Sequence, residues 1–401
     1  MKYDIVIVGG GAAGSVLASR LAENSNTSVL LLEAGTDYPD PDLLPDEIKF
    51  GNTSFAESPE SEHNWALRGT LTEEQGETHV AQGKVIGGGS SINGQAMQRG
   101  LPEDFDSWAA MGNDEWSYDK VLPFFRKSEH DLDIRDDFHG TDGPIPVRRR
   151  QSGPWPDIQK AFHAACLDEG YGAVEDTNGP NPTGVGVWPS NNLDGWRMSA
   201  AITHLNPMRH CLNLTVRGGV FVRRVLIEDR KAVGVEVESG GEVFNVEADR
   251  VVLSAGALKS PHLLMLSGIG PKDQLEQFGI PVVNDLPGVG QNLQDHPAAV
   301  VSYKTEKKLS VTDEIRTGGF PSPMAFLRWM MFRNGPLTTP GCDHGGFFQT
   351  REGADAGAPD LQVRFVPAHA SAPDGVATYT KFGSNWGGAQ FDSGFRFQPI
   401  A

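Results

Sequence analysis

Four residues near the start of the chain have the types and spacing of a dinucleotide-binding site. Gly9, Gly11 and Gly14 form a G-x-G-x-x-G pattern directly after an apolar stretch. In this pattern the first glycine permits a tight turn, the second lets a pyrophosphate approach the backbone, and the third lets a helix pack closely on a strand. Glu33 ends the next apolar stretch, where a carboxylate can accept a hydrogen bond from the ribose. The pattern predicts a bound NAD or FAD, and a glycine turn without a ligand is the alternative.

A second glycine-rich stretch offers two interpretations. Residues 83–96 read Gly-Lys-Val-Ile-Gly-Gly-Gly-Ser-Ser-Ile-Asn-Gly-Gln-Ala. Glycine permits positive φ angles and a close approach of the backbone to another group. The loop therefore either wraps a flavin ring and its pyrophosphate or forms a packed helix start with Ser90 or Ser91 as the cap. The residues alone leave both interpretations open.

An arginine on a predicted strand is the second candidate for chemistry. Residues 361–366 read Leu-Gln-Val-Arg-Phe-Val, and a strand would place Arg364 between Gln362 and Val366 on one face. An arginine on so apolar a strand needs an anionic partner, and its forked guanidinium suits a carboxylate. The partner is either a bound ligand or one of the 52 acidic residues of the chain. Both possibilities stay open at this point.

Bulk composition restricts the partners and the compartment. The chain has 401 residues and a formal charge of −18, which argues against nucleic acid and anionic membranes as partners. Its three cysteines are few and widely spaced, so we expect a reducing compartment and neither a disulfide framework nor a cysteine-based metal site. No apolar run reaches transmembrane length, and the first predicted strand opens directly after Met1 and Lys2, so we expect no signal or transit peptide in the given sequence. We therefore expect a soluble protein of the cytoplasm, or of a plastid if a transit peptide has been removed.

The elements that must position these residues predict an α/β fold. Apolar patterns predict helices over 104–111, 118–128 and 157–169, and short strands over 214–216, 220–227, 232–237, 243–246 and 251–253. The last strand would complete a Rossmann-like domain and end in a small-residue turn at Ala255 that can approach the cofactor. Ser260 and Pro261 predict a helix start, and the basic run 148–150 predicts a solvated face. We expect a dinucleotide-binding domain at 1–150 and 211–300, and an interleaved substrate domain, an antiparallel sheet flanked by helices, at 151–210 and 301–401.

Four stretches together resemble the glucose–methanol–choline (GMC) family of FAD-dependent oxidoreductases. They are the N-terminal glycine pattern, residues 83–93, residues 256–270 and the segment Pro-Gly-Val-Gly-Gln-Asn-Leu-Gln-Asp-His-Pro at 287–297. The resemblance implies FAD as the cofactor. It adds the following cofactor-binding residues to the glycines and Glu33: Ala12, Ala13, Trp65, Val85, Gly89, Asn93, Gly94, Gln95, Ala96 and, through its backbone, Val222. Some members attach FAD to a histidine at the position of Ile92, so the resemblance implies non-covalent FAD here.

Later residues resemble one branch of this family, the light-driven fatty acid photodecarboxylases. The similar stretches are Gly-Cys-Asp-x-Gly at 341–345, residues 360–367 and residues 373–379. The resemblance implies that Cys342 and Arg364 lie at the carboxylate end of a fatty-acid tunnel and are catalytic, with Tyr379 and Gln398 near the substrate. The implied reaction converts a free fatty acid to an alkane or alkene and CO2.

Two alternatives accompany this expectation. The first is dark hydride transfer from an alcohol to the flavin, with a histidine base that the resemblance places in a C-terminal segment beyond Ala401. The second is an incomplete flavin-binding chain without turnover. The oligomeric state does not follow from the sequence.

Overall fold

The computed structural model describes residues 2–70, 72–74, 76–149, 155–317, 320–333, 335–338, 341, 343–351, 358–368 and 394–400. The chain divides into two compact units. Unit 1 comprises Met1–Pro45, Ala56–Asn93 and Ser199–Asp295, and unit 2 comprises Asp46–Phe55, Gly94–Met198 and His296–Ala401. Compared with the expected domains, residues 46–55, 94–150 and 296–300 belong to unit 2, and residues 199–210 belong to unit 1. The assignment of functions to the two units stays a prediction.

The α-helices are distributed over both units. Their bounds are α1 Ala12–Ala22, α2 Asp46–Lys49, α3 Pro102–Ala110, α4 Tyr118–Ser128, α5 Asp157–Asp168, α6 Asn206–Met208, α7 Gly256–Leu266, α8 Lys272–Gln277, α9 Val311–Ile315 and α10 Pro323–Phe332. Short 3-10 helices lie at Pro41–Leu43, Phe55–Glu57, Gly88–Ser91, Asp114–Trp116 and Pro336–Thr338, and one π-helical turn lies at Ala201–Leu205.

The strands include several two-residue pairings. Their bounds are β1 Lys2–Val8, β2 Val29–Leu32, β3 Leu67–Thr70, β4 Glu77–Val80, β5 Glu129–Asp131, β6 Ile145–Arg149, β7 Ala173–Val174, β8 Gly184–Val187, β9 Pro189–Ser190, β10 Asn192–Leu193, β11 Trp196–Arg197, β12 Leu214–Arg217, β13 Phe221–Glu228, β14 Lys231–Ser239, β15 Glu242–Leu253, β16 Ile269–Gly270, β17 Asn284–Asp285, β18 Val301–Lys304, β19 Arg316–Thr317, β20 Phe320–Pro321, β21 His344–Phe348, β22 Leu361–Val366 and β23 Gly394–Ile400.

Unit 1 is built on a six-stranded sheet in the order β12-β2-β1-β15-β14-β13. Strands β12, β2, β1 and β15 are parallel, whereas β14 and β13 continue the sheet in antiparallel fashion. Parallel strands are covered on both faces, which is why β1 and β2 are nearly continuous apolar runs. Val6, Val8 and Leu30 pack into one core, and Ile7 and Leu31 into another. The distant strand β15 pairs with β1, as the sequence predicted.

Unit 2 contains a four-stranded antiparallel sheet in the order β18-β23-β22-β21. Strand β22 covers the six residues that the alternation predicted. One face of this sheet packs against α5, where the ring of Phe162 stacks on Phe365 with centroids 4.4 Å apart. Phe395 and Phe397 extend this aromatic core along β23. The predicted mixed α/β fold is confirmed.

Two predictions of element boundaries were wrong. The segments 243–246 and 251–253 belong to one strand, β15, because the residues between them pair with β1 in a continuous ladder. Helix α7 begins at Gly256, directly after β15, so Pro261 lies inside the helix rather than at its start. A proline there removes one intrahelical hydrogen bond without preventing the helix.

The basic run at 148–150 is not a solvated face at its centre. Arg148 is exposed, but the Arg149 side chain is fully buried and donates to Asp131 at 2.7 Å and to Asp176 at 2.6 Å. Burial lowers the pKa of Arg149, and the two carboxylates more than offset this, so the pKa is raised. The prediction used only the three adjacent basic residues, whereas the two carboxylates that neutralise Arg149 come from other segments of the chain.

The same network approaches the geometry of a metal site. Ligand atoms of Glu129, Asp131 and His139 lie within 4.8 Å of one another. Both carboxylates are already paired with arginines, since Arg99 donates to Glu129 at 2.5 Å and Arg149 donates to Asp131. The arrangement is therefore a buried ion-pair network that ties β5 to β6.

Candidate functional site

A pocket of about 440 Å³ lies in unit 1 at the carboxyl ends of β1, β2 and β15. This volume is within the range of roughly 300–1,000 Å³ that is usual for small-molecule sites. Nine of the predicted cofactor-binding residues line it. They are Gly9, Gly11, Ala12, Ala13, Glu33, Trp65, Gly89, Val222 and Ala255.

The glycines of the first turn have three different structural roles. Gly9 has a φ of +101°, which L side chains rarely adopt. A Cβ on Gly14 would lie 2.0 Å from the carbonyl oxygen of Gly9, so only glycine lets α1 approach the turn this closely. A Cβ on Gly11 would come no closer than 3.9 Å to any neighbour and would enter the pocket. The turn therefore leaves the start of α1 open to a ligand.

Helix α1 presents its first N–H groups to this pocket. Its N-cap residue is Gly11, which provides no side-chain acceptor. The first four N–H groups of a helix have no partner within the helix, and the macrodipole favours an anion there. Ala12 and Ala13 line the pocket at this end. The site is suited to a phosphate or pyrophosphate.

Glu33 is held at the end of β2 by the backbone around it. One carboxylate oxygen accepts from the N–H of Gly10 at 2.8 Å, and the other accepts from the N–H of Gly35 at 2.9 Å. Burial raises the pKa of Glu33, and these backbone hydrogen bonds together with the charge of Lys84 oppose the rise. Each oxygen keeps a further lone pair, so the carboxylate can also accept from a ribose hydroxyl.

Two lysines flank the indole of Trp65 at the pocket. The ammonium of Lys259 lies 4.4 Å from the ring centroid, and that of Lys84 lies 5.1 Å from it. Burial and the charge of Lys84 lower the pKa of Lys259. The sequence argument missed Lys259, which lies in the 256–270 motif and lines the pocket together with Gln82 and His262.

The second glycine loop forms part of the same pocket wall. Gly83, Gly88 and Gly89 line it, and a Cβ on Gly89 would meet nothing within 4 Å. The structure does not show the alternative, a helix start capped by Ser90 or Ser91. The short 3-10 helix Gly88–Ser91 has Gly87 at its N-cap position, without a side-chain cap, and the Ser91 hydroxyl donates to the carbonyl of Ile86.

Six predicted cofactor-binding residues do not contribute to the described pocket lining. Gly14 packs α1 on the turn, and Val85 is buried and bridges to Thr36. Gln95 is buried in unit 2, where its amide donates to Gly51 and accepts from Asn192. The others are Asn93, Gly94 and Ala96. Their contact with the cofactor stays a prediction.

The second candidate site is the face of the unit 2 sheet opposite to α5. Arg364 of β22 pairs with Gly345 on one side and with Gln398 on the other, so the predicted neighbours Arg364 and Gln398 lie side by side. The Arg364 guanidinium lies 5.8 Å from the ring centroid of Trp188. A Cβ at Gly345 would come within 2.7 Å of that indole, so glycine makes room for the tryptophan.

No internal salt bridge to Arg364 occurs among the residues that the structure describes. Its Nε atom is buried without a hydrogen-bond partner, and its guanidinium lies beside the indole of Trp188. A half-buried cation in this state is suited to an anionic ligand. Cys342 and Tyr379, the other predicted substrate residues, lie outside the described residues.

A buried histidine pair lies on the α5 side of this sheet. The amide nitrogen of Gln159 lies 3.2 Å from Nδ1 of His344, and Nε2 of His344 lies 2.9 Å from Nδ1 of His163. Because an amide nitrogen can only donate, His344 accepts at Nδ1 and donates from Nε2 to His163. Burial, and secondarily the charge of His163, lowers the pKa of His344 to about 3. His344 is therefore a neutral structural residue near neutral pH.

Comparisons with known proteins agree with this architecture. A family model described as GMC oxidoreductase matches residues 3–298. The chain is 36% identical over 387 residues to an oxygen-dependent choline dehydrogenase of Photobacterium profundum, covering 95% of this chain and 66% of that protein. It is 37% identical over 408 residues to the chloroplastic fatty acid photodecarboxylase of Chlamydomonas reinhardtii, covering 95% of this chain and 63% of that protein. The structure of pyridoxine 4-oxidase from Mesorbium loti matches with a TM-score of 0.82 and 31% identity, covering 99% and 71% of the two chains.

The glycine turn, the open start of α1 and Glu33 around one pocket define a dinucleotide-binding protein. The chain belongs to the GMC oxidoreductase family. FAD, the cofactor of this family, is thereby confirmed, and the pocket residues fit it. Non-covalent attachment stays a prediction, supported by the buried hydrocarbon side chain of Ile92.

Two further findings bear on which properties of the relatives can be applied to this chain. The chain spans about two thirds of the length of the choline dehydrogenase and somewhat less of the photodecarboxylase. Within the described residues, no helix combines the length and the apolar character that crossing a bilayer requires.

Proposed function

We propose that this GMC oxidoreductase acts on free fatty acids and decarboxylates them in a light-driven reaction. The observation that carries the proposal is Arg364, a half-buried cation without an acidic partner among the described residues. The overall reaction is redox-neutral, because a fatty acid RCOOH becomes an alkane RH and CO2. When bound and excited by blue light, FAD would supply one-electron oxidation of the carboxylate and the return of that electron, and the proton lost when the acid ionises would be restored to the alkyl carbon.

The residues of the chain would bind and orient the substrate. Arg364 would hold the carboxylate through paired, charge-assisted hydrogen bonds and keep it ionised, since a nearby cation lowers the pKa of a carboxyl group. Gln398, directly opposite on β23, would fix its orientation with an amide hydrogen bond. Cys342 and Tyr379 enter the proposal through the resemblance to the photodecarboxylase branch.

The second candidate is oxidation of an alcohol, which the similarity to choline dehydrogenases favours. The two identities, 36% and 37%, do not separate the candidates. Charge separates them for choline itself. A quaternary ammonium would meet the guanidinium of Arg364, and like charges at a half-buried site oppose binding. An uncharged alcohol is not repelled by Arg364, so the charge argument does not count against it.

One experiment with the FAD-loaded chain distinguishes the candidates. Palmitate under blue light tests decarboxylation through the release of pentadecane, and dye reduction by alcohols in darkness tests dehydrogenation. Pentadecane in the light alone supports the proposal, whereas dark dye reduction alone contradicts it. If FAD binds and neither product forms, the alternative of a flavin-binding chain without turnover is supported.

Substitutions then test the two named residues. Replacing Arg364 by Lys keeps the charge but removes the fork, and replacing Cys342 by Ser removes the thiol. We expect Arg364→Lys to form alkane at least about tenfold more slowly, the effect of losing one charge-assisted contact. Cys342→Ser should also form alkane more slowly if the thiol takes part in the reaction. Unchanged rates with bound FAD would assign both residues structural roles.

A further inference from the structure

We infer that Lys259 binds a phosphate group of FAD and supplies the positive charge that the start of α1 lacks. Lys259 lies on α7, the helix that directly follows β15. The inference concerns the cofactor site alone and holds whichever substrate the chain takes, so it goes beyond the proposed function.

The pocket of unit 1 presents little positive charge to a ligand that carries two phosphate groups. Among the lining residues that the structure describes, Lys259 is the only lysine or arginine. The turn before α1 contributes glycines and alanines, whose backbone N–H groups are neutral donors, and Glu33 adds a negative charge. Burial, and secondarily the charge of Lys259, lowers the pKa of His262, so this histidine is uncharged near neutral pH. The countercharge for a pyrophosphate within this pocket is therefore Lys259.

The ammonium of Lys259 is oriented but not neutralised by the protein. It lies 4.4 Å from the ring centroid of Trp65, and no carboxylate within the described part of the chain forms a salt bridge with it. An aromatic face attracts an ammonium but carries no negative charge of its own. Burial, followed by the charge of Lys84, lowers the pKa of Lys259. A half-buried ammonium in these surroundings is suited to an anionic ligand.

Lys84 increases the preference for an anion over an uncharged ligand group. Its ammonium lies 5.1 Å from the centroid of the same indole. Two cations beside one ring repel each other, and part of the lowered pKa of Lys259 reflects this repulsion. A phosphate group beside Lys259 would offset the repulsion, whereas a hydroxyl or a ring nitrogen would not.

The start of α7 brings further donors to the same wall of the pocket. Ala255 and Gly256 line it, and the N-cap residue Ala255 provides no side-chain acceptor. The first N–H groups of α7 therefore have no partner within the helix, as at α1. A Cβ on Gly256 would come no closer than 3.5 Å to a neighbour, which leaves room for a ligand. Lys259, in the first turn, adds three mobile donors and a full charge to these backbone groups.

ADP and adenosine, which differ by the pyrophosphate, test the inference without the flavin ring or any substrate. The full chain freed of FAD is titrated with each compound by calorimetry, as the wild type and as Lys259→Gln. We expect K259Q to bind ADP at least about tenfold more weakly, the effect of losing one charge-assisted contact, and to bind adenosine within about twofold of the wild type. Equal ADP affinities would overturn the inference. An equal loss for adenosine would also overturn it, because Lys259 would then act on the adenosine part or on folding.

Lys231→Gln is the matched control. It removes one positive charge from an exposed position of unit 1, at the end of the β13–β14 hairpin opposite to Val222. We expect it to change ADP affinity less than about twofold. A loss as large as that of K259Q would assign the effect to overall charge and overturn the inference. Lys259→Arg keeps the charge and should bind ADP at least about threefold more tightly than K259Q; no such recovery would contradict the role of the charge.

The FAD-loaded chain provides an independent measurement. After dilution, K259Q should release FAD at least about tenfold faster than the wild type, followed by the recovery of flavin fluorescence. The difference should shrink between about 0.05 M and about 0.5 M NaCl, because salt screens the contact. Equal release rates at low salt would overturn the inference. Neither measurement involves alkane formation, so failure of the proposed decarboxylation leaves the inference standing, and failure of the inference leaves the proposed function standing.

Discussion

At the scale of single residues, charge burial determines which groups are structural and which are available for a ligand. Arg149 and Arg364 are both removed from bulk water to a large extent. Arg149 is neutralised by Asp131 and Asp176, whereas Arg364 has an indole beside it and no described acid. The first arginine therefore stabilises the fold, and the second is left for an anion.

Replacing Arg149 by Leu should destabilise the protein strongly. The substitution leaves Asp131 buried without its ion pair, and breaking a buried pair in this way costs about 3–5 kcal/mol. The thermal unfolding midpoint should fall and the soluble yield should drop. Replacing the exposed Arg148 by Leu is the control, with an expected change within about 0.5 kcal/mol. Equal stability of the two variants would show that the network contributes little.

Stability should also depend on pH through His344. Its pKa of about 3 in the folded state is below the ordinary value of 6.5, so the unfolded state binds the extra proton. This contribution is complete above pH 6.5 and is lost progressively as the pH falls toward 3, by roughly 1.4 kcal/mol per unit.

The measurement compares unfolding at pH 7.5 and pH 5.0. Between these values the wild type should lose about 2 kcal/mol more than His344→Gln, which has no imidazole to protonate. His210→Gln, at an exposed histidine, should keep the wild-type dependence. The assignment fails if H344Q and the wild type respond equally to acid.

The sequence predicted the orientation of Arg364 but not the burial of Arg149. Side chains alternate between the two faces of a strand, so the six residues of β22 suffice to place Arg364 and Phe365 on opposite faces of the sheet. The burial of Arg149 depends on Asp131 and Asp176, which the chain brings together only by folding. Pairings between distant segments leave no local pattern.

At the scale of elements, the strand–turn–helix unit β1–α1 determines the cofactor site. Its glycines were predictable because a tight turn and close helix packing both require glycine. The structure shows both features, in the positive φ of Gly9 and in the close approach of Gly14 to the Gly9 carbonyl. The full length of β15 was not predictable, since its middle is polar and is kept in the sheet by pairing with β1.

Two alanine substitutions should separate packing from cofactor binding. Gly14→Ala places a Cβ 2.0 Å from the carbonyl of Gly9, so it should lower the unfolding midpoint of the FAD-free protein by the equivalent of about 1–3 kcal/mol. Gly11→Ala meets no protein atom within 3.9 Å and should leave that midpoint nearly unchanged. Its Cβ enters the pocket, so FAD affinity should fall about tenfold or more.

Fluorescence titration with FAD and thermal unfolding without it check this pair. The prediction concerns the contrast between the two variants. Full FAD affinity in Gly11→Ala would show that its Cβ does not approach the cofactor, and an undiminished midpoint in Gly14→Ala would remove the packing argument.

At the scale of the whole molecule, the proposed function requires an acidic protein to bind an anionic substrate. The formal charge of −18 produces a field that opposes the approach of a carboxylate. Local positive charge is needed to overcome this field, and the proposal assigns that role to Arg364 on the unit 2 sheet. The compact units could not be delimited from the sequence because both are assembled from three separate segments of the chain.

The most direct measurement is the amount of pentadecane that the FAD-loaded chain forms from palmitate under blue light. The account predicts pentadecane in the light, none in darkness, and at least about tenfold less when Arg364 is replaced by Lys. No pentadecane from the wild type, together with alcohol-dependent dye reduction in darkness, would contradict it.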